Sequence, residues 1–257
     1  MRDKLKDITH FENVINNFTE MLNVRYNKLD KGLIKPERFK AVKQSMVLHF
    51  LYVIKAKYCA GYDMKSGFLL NDYEKTVNLF YESSLDKGAK LLSYRKGKKI
   101  LVLNQYVLSE HFNVIDILSL GILLDVPLKN YQLMSSVLDK DSVKDSVFEF
   151  LLSSKLEERC LTIEENFQAF SWYKDRFIRI KSIIKENDND VAQNELKFFL
   201  EKEWYRSLHD TSTYNQHNVK GGRYVGYWCF LAAAIVKIKG LDDSSFRDNK
   251  YYPKDLL

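Results

Sequence analysis

At 257 residues, 46% apolar and with 16 Tyr and 16 Phe, the chain has ample material for a packed core, which excludes intrinsic disorder. The three cysteines, Cys59, Cys160 and Cys229, are odd in number and far apart. That excludes a disulfide framework and points to free thiols in a reducing compartment; none has a nearby Cys or His partner, so no zinc site is expected.

The net charge of +6 is unevenly shared: residues 1–125 hold 20 Lys and Arg against 14 Asp and Glu, whereas residues 126–257 hold 20 against 20. The opening MRDKLKDITHFENV carries charges throughout and no apolar run, so no secretory leader is expected there. Pro36 starts a long amphipathic helix in which Phe39, Val42, Met46, Phe50, Val53 and Ile54 recur at mostly three- and four-residue steps. Asn71 and Glu74 have the spacing of an N-cap and its reciprocal acid before YEKTVNLFYESS. The run RKGKK, Arg95 to Lys99, is the densest basic stretch and reads as a solvated loop between helices. KKILVLNQYVL is the one segment that could be a strand, and its pattern is ambiguous. HFNVIDILSLGILLD reads as an apolar helix, and Pro127 starts another over LKNYQLMSSVL. Thr162 and Glu165 form a capping-box pattern before NFQAFSWYKDRFIRIKSIIK, and NELKFFLEKEWYRSL carries Leu196, Phe199, Leu200 and Trp204 at helical spacing. The sum is an all-α fold. The turn-like DVPLK and the change in charge near residue 125 suggest two packed helical halves, 1–125 and 126–257.

Catalytic motifs are missing: there is no glycine-rich phosphate loop, HExxH, CxxC or nucleophile elbow. Asp188 or Asp190 followed by Glu195 and Lys197 has the residue types of an acid-x-Lys nuclease site. Such a site needs converging strands, and here the residues fall on a predicted helix, where a solvated face is the stronger reading. No cofactor and no metal centre are expected. Two stretches interrupt apolar helices and are candidates for partner contact: the basic run with Arg95, Lys96, Lys98 and Lys99, and the polar loop HDTSTYNQH with His209, Asp210, Tyr214 and His217.

From Tyr224 to Val236 the chain has 13 residues without charge, in GGRYVGYWCFLAAAIVKIKG. That is shorter than the about 20 apolar residues of a membrane span, so a buried helix is expected, entered at about Arg223. Lys237 and Lys239 suit its last turn and Gly240 its left-handed cap. Within this helix Gly226 would be explained by close approach of another helix, and Trp228 by burial in the core.

EWYRSLHD followed by YVGYWCFLAAAIVKIKGLDDSSFRDNKYYPKDLL resembles the C-terminal region of the PoNi family, immunity proteins against polymorphic nuclease effectors, many of them delivered by type VI secretion. The matching positions are Tyr224, Gly226, Tyr227, Trp228, Ala232, Ala233, Gly240, Asp242, Ser244, Tyr252, Pro253 and Asp255. RDKL near the start and KAKYCAGYDM resemble the family's first region, so the likeness extends over nearly the whole chain. Leu231 departs from it, since many relatives carry an acid there. The resemblance implies an all-helical, cytoplasmic, noncatalytic binder whose partner is a nuclease effector toxin, with neither nucleic acid nor membrane as partner. Two other readings are a nucleic-acid-binding protein using the basic first half and an enzyme of unrecognised type.

Overall fold

The computed structural model describes residues 1–84, 91–159 and 174–257. Cys160 and the expected capping box at Thr162 and Glu165 lie outside the described residues. The chain divides into two compact units, residues 1–89 with 215–226, and residues 90–214 with 227–257. Residue 125, where the charge changes, falls within the second unit.

Unit 1 is built on α1 (Ile8–Asp30), α2 (Phe39–Ala60) and α3 (Gly67–Ser83), with α2 packed against both others. Asp7 caps α1, its carboxylate accepting from the His10 amide at 2.8 Å. The buried stripe of α1 is Phe11, Val14, Ile15, Phe18 and Leu22, spaced as one face of a helix. Pro36 opens a single 3-10 turn, Pro36–Arg38, from which α2 continues. The predicted N-cap at Asn71 is wrong: α3 begins four residues earlier, after Ser66, so Asn71 lies inside the helix. Leu69 is fully buried, and its packing extends the helix past the local capping signal. The chain start is tied to the end of α2, where the Arg2 amide donates to Cys59 O at 2.8 Å and the Arg2 guanidinium to Tyr58 O at 3.1 Å and Tyr62 O at 2.9 Å.

Unit 2 contains an antiparallel hairpin, β1 (Leu91–Lys96) and β2 (Lys99–Tyr106), then α4 (Leu108–Leu123), α5 (Leu128–Asp141), α6 (Ser146–Ser153), α7 (Ile178–Lys185), α8 (Asn189–Phe198), α9 (Trp204–Ser207) and α10 (Phe230–Lys239). The protein is therefore mostly helical but not all-α. The ambiguous KKILVLNQYVL segment forms β2 because its β-branched residues alternate along a pleat and Gly97, at φ 62°, lets the chain reverse in two residues. A π turn at Phe199–Glu203 joins α8 to α9.

The core of unit 2 is α4 against α10, both apolar nearly all round. Lys237 Nζ donates to Ile122 O at 2.9 Å and pairs with Asp125 at 2.7 Å, so a cation of α10 covers the negative C-terminal end of α4. The expected helix entry at about Arg223 is also corrected: α10 starts at Phe230, and 224–229 is nonhelical. Gly226 sits at φ 85°, a left-handed conformation closed to most side chains, so backbone geometry rather than helix contact explains this glycine. With no ladder to join, the segment finds other partners: Trp204 Nε1 donates to Tyr227 O at 2.7 Å, and the Cys229 amide donates to Tyr251 O at 2.8 Å. Gly240 caps α10 at φ 65°.

Candidate partner-binding surfaces

The basic run is the turn of the hairpin. Arg95, Lys96, Lys98 and Lys99 are all exposed, and no acid occurs between Leu91 and Ser109. Arg95 pairs across the strands with Ile100, and Ser93 with Val102, so these four share one face. Ile100 is 66% and Val102 58% exposed, leaving two aliphatic side chains in solvent beside the guanidinium. Lys96 stands directly opposite Lys99, a like-charge pairing that opposes hairpin formation. The base is held firmly. Tyr106 is buried, and its hydroxyl donates to Asp141 at 2.7 Å; burial, with the Asp141 carboxylate next to it, drives the phenol pKa upward. The result is an anchored hairpin with a cationic, partly aliphatic tip.

The polar loop divides between the two units. His209, Asp210 and Tyr214 lie in unit 2 and His217 in unit 1, so the four do not form one cluster within a single unit. Asp210, at φ 67°, accepts from His209 Nδ1 at 2.9 Å and pairs with Arg176 at 2.7 Å; these hydrogen bonds hold its carboxyl below the ordinary range. Arg176 also donates to Ser207 O and His209 O, which fixes the loop at the end of α9. Around it the Tyr205 ring meets Tyr214 at 5.0 Å, Tyr227 at 4.9 Å and Tyr251 at 5.8 Å, the last stacked. Lys250 lies over Tyr251 at 4.9 Å. Sequence reasoning missed Tyr205, Tyr251 and Arg176, which are 29 to 75 residues apart and carry no local motif. His217 instead sets its ring edge-on to Tyr224 at 6.1 Å.

The uncharged motif has structural placements. Tyr224 is fully buried; its hydroxyl donates to Asp3 at 2.7 Å, His10 Nε2 donates to its carbonyl at 2.9 Å, and its ring lies 6.2 Å from Phe11. Tyr227 is buried, but Trp228 is only half-buried, which corrects its assignment to the core. Among the described residues, the buried tryptophan is Trp204. Leu231 is fully buried on α10. Asp242 accepts from the Ser244 amide and hydroxyl, closing the turn after Gly240, and the Tyr252 hydroxyl donates at 3.1 Å to Asp243, itself paired with Arg247. Pro253 is buried and Asp255 exposed.

The acid-x-Lys residues have structural roles too. Asp188 caps α8, accepting from the amides of Asp190 and Val191. Glu195 pairs with Arg179, which also binds Glu203 at 2.9 Å. Among the described residues, no group of three or more His, Cys, Asp and Glu is placed to share a metal ion, and no helix is long and apolar enough to cross a membrane. Cys59 and Cys229 are free thiols, both buried, and burial pushes the Cys229 thiol far up.

Residues 143–256 match the family model described as PoNe immunity proteins (PoNi), C-terminal. A comparison with curated proteins gave no match. Among solved structures, the crystal structure of Protein PA2201 from Pseudomonas aeruginosa is similar in fold, with a TM-score of 0.66 and 14% identity over 98% of this chain and 87% of that one.

Proposed function

We propose, for a chain that belongs to the PoNi family of immunity proteins through residues 143–256, that it is a noncatalytic cytoplasmic antidote which binds a cognate nuclease effector and blocks its active site or its access to DNA. The family match carries this reading. The type VI secretion route follows from the family resemblance and belongs to the same proposal. An antidote inside the cell must hold its toxin at nanomolar to picomolar affinity, about −12 to −16 kcal/mol. That calls for an interface of about 1,200–2,000 Å² with a few well-desolvated anchors.

The hairpin tip is the first contact surface we assign to the toxin. A metal-dependent nuclease lines its active site with carboxylates, and Arg95, Lys96, Lys98 and Lys99 offer complementary charge, with Ile100 and Val102 as adjoining apolar surface. The opposed Lys96 and Lys99 would be relieved by an acidic partner. The second surface is the loop of His209, Asp210 and Tyr214 with the tyrosines beside it, where aromatic faces supply contact area and polar tips hydrogen bonds. His217 is assigned to toxin contact from unit 1.

A second reading is nucleic-acid binding. It is favoured by unit 1, where 17 Lys and Arg face 11 Asp and Glu, all of the protein's net charge. One set of assays separates the two. The protein is mixed with the nuclease encoded beside it, and complex stoichiometry, DNA cleavage and survival of toxin-expressing cells are measured; separately it is titrated with duplex DNA across a salt series. A 1:1 complex that abolishes cleavage is expected. A steep salt-dependent DNA shift without a nuclease complex would replace immunity with nucleic-acid binding.

A further inference from the structure

Unit 1 holds a further cationic cluster. Arg25 on α1 donates through one nitrogen to Ser45 Oγ at 2.6 Å and to His49 Nδ1 at 3.1 Å, both on α2. Accepting at Nδ1 makes the imidazole neutral, with its proton on Nε2. Phe18 covers this histidine at 4.7 Å, its ring also lies 4.9 Å from that of Tyr52, and the Arg223 guanidinium lies 5.8 Å from the same Phe18 ring. Burial, then the charges of Arg25 and Arg223, push His49 down to about 4.

Neither guanidinium meets a carboxylate among the described residues. This sets them apart from Arg159, Arg176, Arg179 and Arg247, each of which pairs with Asp or Glu. Arg25 is half-buried, and burial lowers its pKa with no acid to offset it. One arginine bonded to a neutral imidazole and a second over the phenyl ring that covers it, without an internal anion, form an arrangement that an external anion would complete.

We propose that Arg25 and Arg223, with Ser45 and His49 as its floor, form a carboxylate-binding site that receives an acidic side chain of a protein partner. Taking that partner to be the nuclease rests on the function proposed above. The surroundings favour a protein over nucleic acid. Met21, one helical turn before Arg25, is 46% exposed and Val24 is 47% exposed, so apolar surface adjoins Arg25 on α1, with the exposed Lys28 a turn further on. Apolar side chains around arginine are the composition of a protein interface, whereas a phosphate backbone is met by rows of cations. The guanidinium fork fits a carboxylate in two-point contact, which lysine cannot reproduce.

The test uses the full chain. Arg25→Gln, Arg223→Gln, the double variant and the two Arg→Lys variants are compared for nuclease binding and thermal unfolding. Separately, the arginine Nε–H resonances of the protein alone are followed during titration with acetate and with inorganic phosphate at pH 7. The double variant is expected to bind nuclease on the order of thirtyfold more weakly, with the Lys variants between. Acetate is expected to shift both arginine resonances in the wild type, and to leave Arg223 unmoved in Arg25→Gln. If wild-type protein binds no nuclease, immunity fails as a reading while the acetate titration still decides the site. Should acetate be silent and the double variant bind nuclease like the wild type, the site is overturned. Acetate binding with unchanged nuclease affinity would refute the acidic partner, as would a duplex-DNA complex that requires the arginine pair. Arg223→Gln decides the outcome if Arg25→Gln unfolds, because Arg223 is exposed.

Discussion

Trp204 and Trp228 are the same residue type in neighbouring segments, yet their contributions differ. Trp204 is 3% exposed, lies 6.0 Å from Phe112 and 6.1 Å from Phe199, and donates its indole N–H to Tyr227 O. Trp204→Ala should therefore cost about 3–5 kcal/mol, through the cavity and the orphaned carbonyl. Trp228 is half-buried, so Trp228→Ala should cost clearly less; urea unfolding of the two variants checks the ranking. His49 makes a prediction in pH. Its proton affinity falls from an ordinary 6.5 to about 4 on folding, so the unfolded chain takes up the proton first. Stability is full above pH 6.5 and declines as pH drops from 6.5 toward 4, by up to about 3 kcal/mol. Denaturant unfolding across that window should show the slope, and His49→Asn should flatten it. Asp145 acts lower on the scale. Burial alone would raise its pKa, but paired with His111 at 3.0 Å and capping α6 it is held below the ordinary value, so its contribution is present above about pH 4 and is lost below.

At the scale of elements, the hairpin tip is a charge device on a fixed base. Its cations touch nothing in the core, so reversing Lys96, Lys98 and Lys99 to Glu should leave the melting temperature unchanged. The same reversal should slow association with the nuclease, and the wild-type rate should fall with added salt. Stopped-flow rates at several salt concentrations, with thermal scans, test both; an unchanged rate and unchanged protection would shift attention to the loop at His209. The long helices were legible because α2, α4 and α10 carry apolar side chains in periodic or continuous runs and proline or glycine at their ends. The hairpin was not, since a short β-branched run has the same composition as a buried helix segment. The start of α10 was missed for a similar reason. An uncharged run marks burial, and buried backbone in 224–229 is satisfied by Trp204 and Tyr251, contacts that local pattern does not encode.

For the molecule as a whole, the absence of a recognisable active-site motif leads to a direct expectation. Purified protein should leave plasmid intact with Mg²⁺ or Mn²⁺, measured on agarose gels; cleavage abolished by Glu195→Ala would instead place a nuclease centre on α8. All net charge resides in unit 1, which should add long-range attraction for an acidic partner, while the hairpin supplies a local positive tip on a unit of zero net charge. The amino-acid sequence by itself determined the mainly helical class, the free cysteines at 59 and 229, the exposure of Arg95 to Lys99 and the family likeness of the C-terminal region. Those properties follow from composition and short-range periodicity. Only the tertiary structure decided that residues 215–226 join the N-terminal helices, that Tyr224 is anchored by Asp3, and that the Arg223 guanidinium lies over Phe18, the ring that covers His49. These contacts join residues about 200 positions apart, and they form because buried hydroxyl, carbonyl and imidazole groups must find partners wherever packing brings one within reach.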